Sequence, residues 1–119
     1  MTYRVTGPAR KQIVEILVRS ALDHGPPRAA NYKALLEAAM EDVGADPRRL
    51  GTRPIRRMPD VWCYEIRYSR HRLPREGRVR DPWHRLVYCQ DQDGVIAILA
   101  VVGLSYPAGR AARLAIRER

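Results

Sequence analysis

The spacing of hydrophobic positions changes along the chain, and the changes divide it into elements. Tyr3 to Thr6 alternates polar and apolar residues before Gly7 and Pro8, which predicts a short strand entering a helix with proline in its first turn. From Pro8 to about His24, Ile13, Ile16, Leu17 and Ala21, flanked by Val14, Val18 and Leu22, keep helical spacing until Gly25-Pro26-Pro27 stops the run. Tyr32, Leu35, Leu36, Ala39, Met40 and Val43 predict a second amphipathic helix, closed by Gly44. The two form a helical hairpin with a short, stiff turn.

After the link Asp46 to Asp60 the period falls to two. Trp62, Tyr64, Ile66 and Tyr68 alternate with Cys63, Glu65 and Arg67, the signature of a half-buried strand. Between about Trp83 and Gln90, His84, Leu86 and Tyr88 alternate with Arg85, Val87 and Cys89. Asp91-Gln92-Asp93-Gly94 turns this second strand into Val95 to Val102, apolar on both faces and so predicted as the central strand. The polar, proline-broken stretch from Arg70 to Pro82 reads as a long basic hairpin loop, and Ala108 to Arg119 as a short C-terminal helix. The predicted order is β-α-α-β-β-β-α. It describes one α+β domain over residues 1–119, a helical hairpin on a small, mainly antiparallel four-stranded sheet whose other face stays partly open.

Composition adds a direction to this outline. Among 119 residues, 22 are lysine or arginine and 13 aspartate or glutamate, a formal charge of +9 in which only Lys11 and Lys33 are lysines. The excess is lopsided: residues 53–85 hold ten arginines against Asp60, Glu65, Glu76 and Asp81. Such a distribution is the electrostatic footprint of a polyanion, RNA first, or of an acidic protein. The N-terminus lacks an apolar stretch behind a basic start, and the run Val95 to Leu104 is too short to span a bilayer. A soluble, cytoplasmic protein without membrane association is expected. Cys63 and Cys89 are isolated and read as reduced thiols in strands, and Asp91 and Asp93 belong to a turn with no further acidic cluster. Neither a metal nor a cofactor is expected.

Several strings carry a family resemblance. Met58-Pro59-Asp60 before a strand, Cys63-Tyr64-Glu65-Ile66-Arg67, Arg85-Leu86-Val87-Tyr88 and the strand ending Val101-Val102-Gly103 resemble the RelE/ParE superfamily of bacterial type II toxin–antitoxin proteins, its RelE branch most. The resemblance implies the RelE-like fold and a cognate antitoxin as partner. RelE-type toxins are ribosome-dependent endoribonucleases that cut mRNA and inhibit translation; ParE-type toxins inhibit DNA gyrase. The first activity is the leading expectation. Gyrase inhibition, or non-catalytic RNA binding, is the alternative.

Metal-free RNA cleavage uses the 2′-hydroxyl as nucleophile, so the protein must favour its deprotonation and hold the charged phosphorane. By the resemblance, Arg67 stands at a lysine position of the first long strand and Arg85 at an arginine position of the second, where the pair would face one phosphate. Glu65, Leu104-Ser105 and Ala111 depart from the family, standing where it has a lysine, an arginine and a tyrosine. Tyr106 and Arg110 are the candidate substitutes, with His84 or His71 as the proton-transferring group. Arg57, Arg70, Arg72, Arg75, Arg78 and Arg80 are the candidate RNA contacts.

Overall fold

Thr6 sets the entry to the helical hairpin. Its hydroxyl accepts from the Ala9 amide and donates to the Ile98 carbonyl at 2.9 Å, so one side chain caps the first helix and ties it to the sheet. In this computed structural model, which describes residues 3–118, strand β1 (Tyr3–Val5) leads into α1 (Gly7–His24). Gly25, at φ 91°, ends α1 and starts α2 (Pro26–Ala45), because a proline in a first helical turn loses no hydrogen bond. The second helix therefore begins well before Tyr32, and the turn is a single residue.

Strands β2 (Thr52–Pro54), β3 (Val61–Glu65), β4 (His84–Gln90) and β5 (Ile96–Gly103) follow, and helix α3 (Ala108–Glu118) closes the described chain. The expected C-terminal end of this helix, Arg119, lies outside the described residues. The sheet order is β1-β5-β4-β3-β2, with β1 parallel to β5 and every other pair antiparallel. The mixed α+β architecture and the helical hairpin stand as expected, but the sheet has five strands rather than four. The additional strand, β2, is three residues long and ends in Pro54, too short and too polar to register in hydrophobic periodicity.

Helices pack on both faces of the sheet. Leu35, Leu36, Ala39, Met40 and Val43 of α2 pack with Tyr64, Leu86, Tyr88, Ile96 and Ile98 on one. On the other, Ala111, Ala112 and Ala115 of α3 meet Val61, Val87, Ala97 and Leu99. The second face is partly open, as expected: Ala111, Ala112 and Ala115 let α3 approach one part of it closely, while Arg53, Cys63, Glu65 and Arg85 beside it keep some exposure.

Strand β3 is shorter than the alternation from Trp62 to Tyr68 predicts. It ends at Glu65, and Ile66–Arg72 forms a 3-10 helix with Ile66 and Ser69 buried. A tertiary anchor bends the chain there. The Ser69 hydroxyl lies 2.6 Å from an Asp42 carboxylate oxygen and 2.8 Å from the Tyr64 hydroxyl, while Arg49 and Arg72 each reach Asp42 at 3.0 Å. This network docks the 3-10 helix on α2. The polar residues 70–82 carry a second short 3-10 turn, Arg75–Gly77, so the expected hairpin loop is a folded segment.

Candidate functional site

The ladder register decides which arginines meet. Glu65 pairs with Arg85 between β3 and β4, and Cys63 with Val87, so these side chains share the face that carries α3. Arg53 of β2 pairs with Cys63 and joins that face. Arg67 does not lie on the strand facing Arg85; it sits in the 3-10 helix, because Ser69 and Asp42 end the strand before it. From there its Nε donates to Glu65 at 2.9 Å, and its guanidinium lies 5.0 Å from the Tyr68 ring. Hydrogen bonding to Tyr68 and the charge of Glu65 raise the Arg67 pKa above its ordinary value.

Arg85 is half-buried and engaged. Its Nη2 donates to the Leu104 carbonyl, and its Nε is enclosed without a partner among the described residues. Burial raises the pKa of the neighbouring Cys63 thiol, and Arg85 opposes the shift. Leu104 and Tyr106 follow β5 directly, which brings the C-terminal segment to this end of the sheet. Arg110, in the first turn of α3, lies 6.0 Å from the Tyr106 ring.

His84 is on the opposite face. Adjacent strand residues alternate, and the His84 Nδ1 contacts the Tyr32 hydroxyl of α2 at 2.5 Å while Leu86 joins the helical-hairpin core. Burial lowers the His84 pKa and raises that of Tyr32. Tyr32 accepts the Trp83 N–H at 3.0 Å, so its own proton is free to point at Nδ1 of a neutral imidazole. The expected catalytic residues therefore divide: Arg67, Arg85, Tyr106 and Arg110 on the α3 side, His84 on the hairpin side.

The basic segment is largely wired to itself. Arg70 donates to the Arg80 carbonyl at 2.9 Å, Arg78 to the Leu73 carbonyl at 2.9 Å, and Arg72 to the Ala38 carbonyl at 2.9 Å as well as to Asp42. Arg72 is thus a structural tie between this segment and α2. The exposed arginines include Arg75 and Arg80, and Arg57, in the turn before β3 at φ 64°. Sequence patterning did not single out Asp42 or Ser69, and it placed Tyr32 only on the apolar face of the second helix, not beside His84. Their partners lie tens of residues away, and no local spacing announces them.

The family described as the ParE toxin of type II toxin–antitoxin systems, parDE, matches residues 3–103, from β1 through β5. The chain belongs to the ParE toxin family. None of the curated proteins matches it. Membership in the ParE toxin family makes this chain the toxin of a type II system and implies a cognate antitoxin as its partner. The match includes the helical hairpin and the strands that carry Glu65 and Arg85, and α3 follows beyond it. Among the described residues no helix is long and apolar enough to cross a membrane, and no three His, Cys, Asp or Glu side chains gather as a metal site.

Proposed function

We propose that this toxin acts by binding a protein target, DNA gyrase, rather than by cutting RNA. The observation that carries the reading is the state of the side chains at the ribonuclease positions. One is a carboxylate, Glu65; Arg67 is turned onto it, and Arg85 is turned onto the Leu104 carbonyl. A phosphate approaching Arg85 would meet a guanidinium already held at Nη2 by that carbonyl, and would pass Glu65, whose charge opposes it. The nearest histidine candidate, His84, points to the other face. Electrostatic stabilisation of a phosphorane needs preorganised, unengaged donors, and this arrangement supplies few. The family description points the same way.

One feature favours the ribonuclease as a second reading: Arg67 and Arg85 flank Glu65, and Arg53, opposite Cys63, lies on the same sheet face. Induction of the protein in a bacterium separates the two. Gyrase inhibition gives loss of plasmid supercoiling and a DNA-damage response with intact mRNA. Codon-phased mRNA 5′ ends that vanish with Arg85→Ala would establish the second reading instead.

A further inference from the structure

A recess lies away from the sheet face just described. It measures about 860 Å³, within the usual range of ligand pockets, roughly 300–1,000 Å³. One wall is the end of α1 and the start of α2, carrying Arg19 and Arg28; the other is the basic segment, carrying Arg78 and Arg80. Trp83, 57% exposed, and the Tyr32–His84 pair line it as well.

The walls are held in place rather than loosely apposed. Tyr32 fixes the Trp83 backbone at 3.0 Å, and Arg70 fixes the Arg80 carbonyl at 2.9 Å. Gly77 lies so close to α2 that a Cβ there would stand 3.0 Å from Asn31 Oδ1. Arg19, Arg28 and Arg80 form no ion pair among the described residues. Guanidinium groups on both walls of one recess concentrate positive potential between them.

Asp23, Glu76 and Asp81 also line the recess, and they narrow the ligand class. A bare polyanion gains nothing from them. A nucleotide does, because its ribose hydroxyls and base amino groups are donors for carboxylates, its phosphate suits arginines from opposing walls, and its base suits an exposed indole.

From this arrangement we infer that the recess binds a nucleotide unit, with phosphate between Arg28 and Arg80 and the base stacked on Trp83. The unit is either a free mononucleotide or one residue of a single strand. The inference concerns the face away from Arg85 and does not depend on the target proposed above.

Fluorescence anisotropy of a labelled oligouridylate of about eight nucleotides tests it, with AMP, inorganic phosphate and oligoglutamate as competitors. The double variant Arg28→Ala/Arg80→Ala is expected to bind about tenfold more weakly, and its log K against log salt slope to fall by about 0.7 for each lost phosphate contact. Trp83→Leu keeps an apolar side chain and removes stacking, with a further loss of about tenfold expected. Circular dichroism confirms that each variant is folded, and Arg19→Ala, on the α1 wall, provides an independent second reading of the site. Competition by AMP would assign a free nucleotide, and competition by the unlabelled strand alone a single-stranded ligand. Affinity unchanged in all these variants, affinity lost instead with Arg53→Ala, or displacement by oligoglutamate but not by nucleotides would overturn the inference.

Discussion

Glu65 stands opposite Arg85 across the β3–β4 ladder, and its carboxylate is held by Arg67 at 2.9 Å. A negative charge thus sits between two cations that a phosphate-handling site would need to present freely. Replacing Glu65 with glutamine releases Arg67 while keeping the strand. The pair is exposed on the Arg67 side, so the urea midpoint should shift little. Non-specific RNA affinity should rise in the same variant. Urea denaturation and a binding isotherm at fixed salt check the two halves; a drop in RNA affinity would show that Glu65 does not mask this face.

The sequence carries the helical hairpin and the central strands plainly, because Leu35, Leu36, Ile96 and Ile98 are core residues at regular spacing. Membership in the superfamily was readable from Arg85-Leu86-Val87-Tyr88 and its companion strings, although the matching family profile is that of ParE rather than the favoured RelE branch. The end of β3 was not readable. Ile66 and Tyr68 continue a period of two whether the chain runs straight or turns into a 3-10 helix, and Ser69 turns it only because Asp42 is waiting on α2. The same ambiguity hid the candidate site: Arg67 on a strand would point beside Arg85, whereas Arg67 past the strand reaches back to Glu65. The coverage of the second face rests on Ala111, Ala112 and Ala115, small residues whose packing role becomes visible only once α3 is in place.

The Asp42 anchor should be the most sensitive polar feature of the fold. Ser69→Ala removes the hydroxyl that lies between the Tyr64 hydroxyl and Asp42, leaving buried polar groups short of a partner. A loss of about 1–3 kcal/mol is expected, read as a lower urea midpoint with unchanged slope. A neutral result would mean that the 3-10 helix docks through Ile66 and the Arg72 ties to α2, without the Ser69 hydroxyl.

Gly51 combines a backbone and a packing constraint. At φ +100°, a Cβ added there would lie 2.8 Å from Tyr68 Cδ2. Gly51→Ala should therefore cost at least about 1–3 kcal/mol in strain, and more if Tyr68 is displaced. Thermal unfolding measures the loss, and a matched alanine at Gly7, where nothing lies within 4 Å, is the control.

His84 predicts a pH dependence with a definite sign. Burial lowers its pKa from 6.5, so between the folded value and 6.5 the unfolded chain binds more protons than the folded one. Its contribution is fully present above about 6.5 and is lost as pH falls through that window. The difference in stability between the wild type and His84→Gln should accordingly shrink on acidification from pH 7.5 to 5.5. A difference that grows as pH falls would indicate an imidazolium stabilised by the fold, and with it the opposite polarity of the Tyr32 hydrogen bond.

The most direct test of the toxin's proposed mode of action uses purified protein in two parallel reactions: gyrase supercoiling of relaxed plasmid, and programmed ribosomes carrying end-labelled mRNA. Binding without RNA chemistry predicts that supercoiling falls as toxin is added, with gyrase recovered in complex with the toxin and the mRNA left whole. Codon-phased cuts in the mRNA, abolished by Arg85→Ala while gyrase works unhindered, would contradict it.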